Sequence, residues 1–395
     1  VIALLILLSV SVVGPVAAVR LRLPTAVVLI VAGLGLGPAG LGVLHGSPTV
    51  SFLAEFGFLV LMFMAGMEID FEAIRAAGKA ALAVPALWVL GVFAGGLAAG
   101  RLAGLGSVEV LVISAVSVGM PLAVLQETGQ SATALGRHVM LAASIGEFVC
   151  ILAITGLEVV LSGGLGLETL EKVLKVGLLF TASALLIRWA RALVWWHPKQ
   201  FRRLIDHHDA AELGVRVGLV ILMGFVAMAA LAGVEPILGA FIGGTLVGFV
   251  LRQKHALEGK IAAIGNGLFI PIFFIVVGVR FDVRALDGSA ATSALFLAAV
   301  AGAIKILSSL VFARRGTPIR DRVAAGSLLA APLTLVVAIA SIGRELALID
   351  DRKEASLMLV GMLASIVFPI LFRLLARRSG GAPAADAQRP GPAPA

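Results

Sequence analysis

The sequence predicts an all-helical polytopic membrane protein with about 13 transmembrane spans. Three observations carry that reading. Of the 395 residues, 60% are hydrophobic and only 14% charged, whereas soluble domains carry about 25% charged residues. Mean hydropathy is +1.07. The apolar residues come in runs of about 20, the length that crosses a bilayer, punctuated by Arg, Lys, Pro and Gly. Glycine is abundant, as expected where helices approach closely in lipid.

In chain order, the first run, about 2–19, stops at Arg20 and Arg22. The second, about 24–44, is bounded by Pro24 and a Gly-rich end, and the third, about 50–68, by Pro48 and Glu68. Spans of about 79–100 and 107–126 lie on either side of Arg101 and Gly104. A sixth, about 138–161, begins after Arg137, and a seventh, about 169–187, ends at Arg188. Beyond a basic stretch follow runs of about 213–232, 236–251 and 262–279, the middle one short. The last three, about 291–313, 322–343 and 354–376, are separated by Arg314, Arg315 and Arg320, then by Arg344, Arg352 and Lys353.

Basic residues alternate between rich and poor loops. The rich set includes Arg20, Arg75, Lys79, Arg137, Arg188, Arg202, Arg216, Lys254, Arg314 and Arg373. The poor set is Arg101, Lys172, Lys175, Arg280, Arg284, Arg344, Arg352 and Lys353. The richer side is expected to be cytoplasmic, with the N-terminus outside, the C-terminus inside and the chain in the cell (inner) membrane. The net charge of +8 is then topological charge facing anionic lipid, so no nucleic-acid partner is expected. Trp195–Asp209 reads as a helix on the membrane surface, where His207 and His208 are solvated. The tail 379–395, rich in Gly, Pro and Ala, reads as a disordered cytoplasmic segment after a transmembrane domain of 1–378. The first run leads into further spans rather than resembling a cleavable signal.

Glu147 stands alone in the apolar run Leu141–Ile154. A carboxylate at that depth costs a few kcal/mol even on lenient insertion scales, and its short side chain reaches neither surface. Lys305 is a second charge inside a span, nine residues before Arg314, or about 13 Å along a helix. Two spans carry a proline at mid-depth, Pro121 and Pro332. Each proline frees the carbonyl four residues before it, so each helix is expected to break there. The breaks lie seven spans apart. With the seventh span as connector (162–212), two inverted six-helix repeats result, about 1–161 and 213–376, with crossed broken helices. Ser117, Gly119, Pro121, Pro332 and Thr334 would line a site at the breaks.

Other patterns point away from chemistry. Gly35-Leu-Gly-Pro-Ala-Gly40 has dinucleotide-fingerprint spacing but ends an apolar span, so it reads as small-residue packing and no cofactor is assigned. Glu68, Asp70 and Glu72 read as loop charges, and Glu55, Glu235 and Asn266 as structural. The single cysteine, Cys150, excludes an internal disulfide and reads as a small packing residue. No nucleophile–base pair or metal-ligand cluster is present, so the chain does not read as an enzyme.

Four stretches carry a resemblance: Gly33–Gly42, Leu53–Asp70, Gly239–Gly244 and Pro271–Gly278. In this order they resemble the monovalent cation/proton antiporter superfamily, in the branch of bacterial Na⁺/H⁺ antiporters and K⁺ efflux antiporters. The resemblance implies a 13-helix inverted-repeat fold with a dimerisation part and a mobile part, and therefore a homodimer. It aligns Glu147 with the family's ion-binding carboxylate and Lys305 with its basic partner. The sequence departs from the family's acidic or polar pair at Gly146, uses Glu rather than Asp, and is poor in oxygen at Ser117-Val-Gly-Met-Pro121.

The physical logic is competition. A carboxylate held out of water must be neutralised by a proton or by a cation, Na⁺ or K⁺, so binding one expels the other. With Gly146 offering no side chain, Lys305 is expected to bridge to Glu147 when no cation is bound. Two other readings use the same residues: a sodium-coupled organic-anion symporter, and a non-transporting membrane sensor with a degenerate site.

Overall fold

The computed structural model describes residues 2–21, 23–68, 71–131, 133–163, scattered positions between 171 and 196, 212–233, 236–250, 254–281, 288–312 and 318–376. Among these residues the regular structure is all helical. Among the described residues nine helices are long and apolar enough to cross a membrane, or ten if one pair bent by 42° counts as one span.

The elements are α1 (Ile2–Leu21), α2 (Thr25–Leu36), α3 (Pro48–Met67), α4 (Phe71–Ala103), α5 (Ser107–Ser114), α6 (Gly119–Glu127), α7 (Ala134–Gly163), α8 (Leu213–Leu231), α9 (Pro236–Val250), α10 (Lys254–Ile264), α11 (Ile270–Arg280), α12 (Gly288–Ser308), α13 (Ile319–Leu328), α14 (Leu333–Glu345) and α15 (Asp351–Leu375). A π-helical segment, Gly265–Phe269, joins α10 to α11. The expected second span is shorter than its apolar run. Gly37 caps α2, and the chain then turns back through Leu41 N–H to Gly35 O, with Gly42 at φ +65°. The run continues past the point where glycines and Pro38 let the backbone leave the helix. The seventh span falls largely outside the described residues, as do Asp70, His207, His208, Glu235, the tail and all of Trp195–Asp209 except Trp196.

The helices sort into two bundles. In the first, α1–α3 pack with α8–α11; in the second, α4–α7 pack with α12–α15. Each draws on both halves of the chain. They meet chiefly where α7 faces α9, with Phe148 and Phe241 stacked at 6.3 Å. Beside that contact Ile151, Ile154, Ile237, Leu238, Leu335 and Ile342 line a small apolar gap in the seam.

Glycine builds the first bundle. A Cβ on Gly33 would strike the Ile275 carbonyl and one on Gly278 the Ile30 carbonyl, while Gly66 and Gly244 face Phe241 O and Phe63 O. The backbones of α2 and α11, and of α3 and α9, are therefore in direct contact, which is how helices associate where lipid gives no hydrophobic drive. The dinucleotide-like glycines belong to the same corner: Gly37 abuts Val279 and Gly40 closes the turn on Gly35, while Gly35 itself faces open space.

Side-chain contacts tie together the loops with few basic residues. Lys353 reaches Glu109 at 2.9 Å, Arg344 reaches Asp351 at 2.6 Å, Arg280 donates to Ser51 at 2.9 Å, and Arg352 donates to Ser289.

Candidate ion-binding site

Two prolines interrupt two helices of the second bundle. Pro121 has no N–H to give Ser117 O, and the chain from Ala115 to Val118 leaves the helix between α5 and α6. Proline is tolerated in the first turn of α6, whose N–H groups lack intrahelical partners in any case. Pro332 likewise cannot bond Leu328 O, and α13 ends at Leu328. Pro332 then serves as the N-cap position of α14, with no side-chain cap.

The two breaks meet over Glu147. This residue lies near the middle of the 30-residue α7 and is 1% exposed. Its Oε1 accepts from Ser117 Oγ at 3.2 Å, and its Oε2 accepts from the Val118 N–H at 3.0 Å. Val118 immediately precedes α6, and its carbonyl accepts the bond from Leu122 N–H. The carboxylate therefore sits at the N-terminus of a half-helix, where unpaired N–H groups and the helix dipole favour negative charge. Ser117 Oγ and Thr334 Oγ1 are 3.1 Å apart, so one hydroxyl pair links the first break to the first turn of α14. At the other side of the first break, the Cys150 thiol donates to Ser114 O at 3.4 Å, meeting a carbonyl at the end of α5.

Of the expected lining residues, Ser117 and Thr334 reach the carboxylate network directly. Pro121 and Pro332 are buried and act through the breaks they create. Gly119 is exposed, with open space where a Cβ would be. Lys305 is fully buried on the last turn of α12. Its carbonyl accepts from the Trp88 indole N–H at 3.2 Å, just before the chain tightens into the 3₁₀ turn Ser309–Phe312. The expected direct bridge is not formed: no ion pair within 4.0 Å joins Lys305 to Glu147.

Two buried contributors were not singled out by the sequence, one at the carboxylate and one away from it. Val118 contributes only its backbone, which no side-chain pattern marks. Glu109 is 8% exposed and held by Lys353; an acid in the first turn of an otherwise apolar span was the available signal. Glu55 and Asn266 are exposed on the first bundle and take no part in the carboxylate network. No group of three or more His, Cys, Asp or Glu side chains gathers among the described residues. The oxygens gathered at Glu147 are instead its own carboxylate, the Ser117 hydroxyl on Oε1 and the Thr334 hydroxyl beside Ser117. That donor set, at interrupted helices, suits a partly dehydrated monovalent cation.

Residues 5–378 match the family described as "Sodium/hydrogen exchanger, transmembrane". The chain belongs to this exchanger family. It is 29% identical over 384 residues to the "Probable Na(+)/H(+) antiporter 3" of Methanocaldococcus jannaschii, covering 93% of this chain and 94% of the relative. It is 25% identical to the "Na(+)/H(+) antiporter" of Enterococcus hirae, covering 91% and 93% of the two chains. The "Na(+)/H(+)-K(+) antiporter GerN" of Bacillus cereus is 29% identical over 70% of this chain and 71% of its own. Among solved structures, the sodium proton antiporter MjNhaP1 of Methanocaldococcus jannaschii aligns with a TM-score of 0.62 at 14% identity, covering 93% and 94% of the chains, and this supports the fold. The exchanger is thus a multi-pass membrane protein of a transporter family. Family membership supports exchange of Na⁺ and H⁺ and lends no support to an organic-anion symporter or a non-transporting sensor.

Proposed function

We propose that this exchanger moves a monovalent cation, Na⁺ or K⁺, against protons by alternating access, with Glu147 as the shared binding group. The observation that carries the proposal is the carboxylate itself, buried in α7, held by the first helix break and linked through Ser117 to the second. Without a cation the carboxylate takes a proton. With a cation it gives the proton up and binds through Oε1, helped by Ser117 Oγ, Thr334 Oγ1 and the freed carbonyls. Backbone N–H at Val118 holds Oε2, so the carboxylate keeps its place in both conditions.

Movement of the second bundle against the first would expose Glu147 to each side in turn, and the thin contact between bundles at α7 and α9 suits such a motion. Lys305 is assigned as a charge partner that acts at a distance rather than by direct contact. Its positive charge would bias the site when the cation leaves. The positive-inside pattern supports an outside N-terminus and a cytoplasmic C-terminus in the cell (inner) membrane. The repeats 1–161 and 213–376 around connector 162–212 are consistent with each bundle drawing on both halves of the chain. A homodimer through the first bundle accords with the exposed apolar face of α1, where Val12, Val13 and Val19 are more than half exposed.

The deciding experiment reconstitutes wild type and Glu147→Gln in liposomes with Na⁺, K⁺ and Li⁺ in turn. Wild type should move protons in response to at least one cation, and Glu147→Gln should not. Full exchange by Glu147→Gln would overturn the proposal.

A further inference from the structure

Gly146 precedes the carboxylate on α7 and faces the first break. A Cβ placed on it would lie 2.9 Å from Val116 Cβ and 3.0 and 3.2 Å from the two Val116 methyls. The nearest of these is the stem of a β-branched side chain, which cannot swing aside as a long flexible one can. Val116 is fully buried, packed with Val139, Ala142 and Ala143 of α7 and with Leu328 and Leu329 of the second break. It therefore has no free volume into which to retreat.

Val116 is also the residue immediately before the two that hold the carboxylate. Ser117 supplies the hydroxyl on Oε1 and Val118 the N–H on Oε2. The hydroxyl contact, at 3.2 Å, is already long for an O–H···O bond, and the N–H contact, at 3.0 Å, is of ordinary length, so a shift of the break away from α7 by a few tenths of an ångström weakens both. The same shift would draw Ser117 away from Thr334, 3.1 Å distant, and loosen the link between the two breaks.

We infer that Gly146 is a positioning residue for ion binding: lacking a side chain, it lets Val116 seat against α7 and thereby holds Ser117 and Val118 on the Glu147 carboxylate. The position is not merely a lost ligand. It is the contact that brings backbone and hydroxyl groups into the place a neighbouring side chain would otherwise fill. The inference rests on Glu147 being the ion-binding group, and the test separates the two ideas.

The test is a double-mutant cycle. Wild type, Gly146→Ala, Val116→Ala and the double variant are purified, and Na⁺ and K⁺ are titrated in separate runs. Cation-induced thermal stabilisation reports binding, and proteoliposome exchange reports apparent KM and maximal rate. Gly146→Ala should raise the apparent KM for the transported cation about tenfold, with the maximal rate changed by less than about threefold. The double variant should recover at least about threefold of that loss, because removing the two Val116 methyls relieves the 3.0 and 3.2 Å contacts and frees the space into which the remaining 2.9 Å Cβ contact can give. Val116→Ala alone accounts for the loss of the valine's own packing. An unchanged KM in Gly146→Ala, or a double variant no better than the single, would overturn the inference. So would failure of both Gly146→Ala and the double variant to fold, since relief of the clash must restore the fold if the contact is the one that matters. Glu147→Gln is run alongside. If it still binds and exchanges the cation, the functional proposal fails. If it does not, the cycle alone decides the role of Gly146.

Discussion

The two bundles use glycine for opposite ends. In the first, glycines meet backbone: Gly33 and Gly278 join α2 to α11, and Gly66 and Gly244 join α3 to α9. In the second, they mostly meet side chains: Gly95 faces Ile304, Gly100 faces Val110, Gly146 faces Val116 and Gly302 faces Phe368. Polarity divides the same way. Among the described buried polar and charged residues, Ser11 alone lies in the first bundle, while Glu147, Lys305, Ser114, Ser117, Ser309, Ser327, Ser356 and Ser365 all lie in the second. One bundle is apolar with helix backbones in contact, which favours rigidity. The other holds interrupted helices and buried polar groups, including hydroxyls of Ser114 and Ser365 with no hydrogen-bond partner. The contrast teaches where chemistry can be placed: beside backbone that has been released from helix bonding, not beside backbone already locked to a neighbour.

The strongest way to break that contrast is Glu147→Gln. It should cut cation-driven proton movement at least about 1,000-fold, equivalent to about 4 kcal/mol, with thermal stability unchanged or higher because a buried charge is removed. Proteoliposome flux and a melting curve check both arms.

A side chain forced between backbones should act in the reverse manner. Gly244→Val places a branched side chain against the Phe63 carbonyl. It should destabilise the fold by about 3 kcal/mol while leaving exchange per folded molecule within about twofold. A lower melting temperature with unchanged apparent KM would sharpen the division between the bundles; a raised KM with unchanged stability would break it.

Ser117→Ala removes a hydroxyl bound to a carboxylate. A bond to a charged group is worth about 1.5–3 kcal/mol, so the apparent cation KM should rise roughly 10- to 100-fold. Cation titration of exchange measures it, and a change below about threefold would remove Ser117 from the site. Smallest of the four is Lys353→Ala. The Lys353–Glu109 pair has a half-exposed lysine, and such a pair contributes at most about 1 kcal/mol. Melting temperature should fall slightly, and exchange should stay close to wild type.

Much of this molecule was legible along the chain. Apolar runs bounded by Arg and Lys marked the membrane-crossing helices, because hydration of charge and insertion of apolar length are properties of a local segment. Pro121 and Pro332 marked the breaks, since a missing N–H acts on the carbonyl four residues away. Glu147 stood out because no other carboxylate lies so deep in an apolar run. Where the end of α2 was misjudged, hydropathy continued through Gly37–Leu44 while the backbone did not, and hydropathy does not register turns.

Tertiary structure decided the partners. Ser117 reaches Glu147 across 30 residues of sequence and Thr334 across 217, and only packing brings such groups together. Val118 binds through a backbone N–H that every non-proline residue possesses, so no residue identity announces it. Lys305, expected to bridge to Glu147, lies beyond ion-pair distance of it. Gly146 read as an absence along the chain; in the fold it is the space that Val116 needs. The sequence by itself determined that one carboxylate would be buried beside broken helices. Which atoms hold it was decided by close packing, where distances of a few tenths of an ångström govern contacts between residues far apart in the chain.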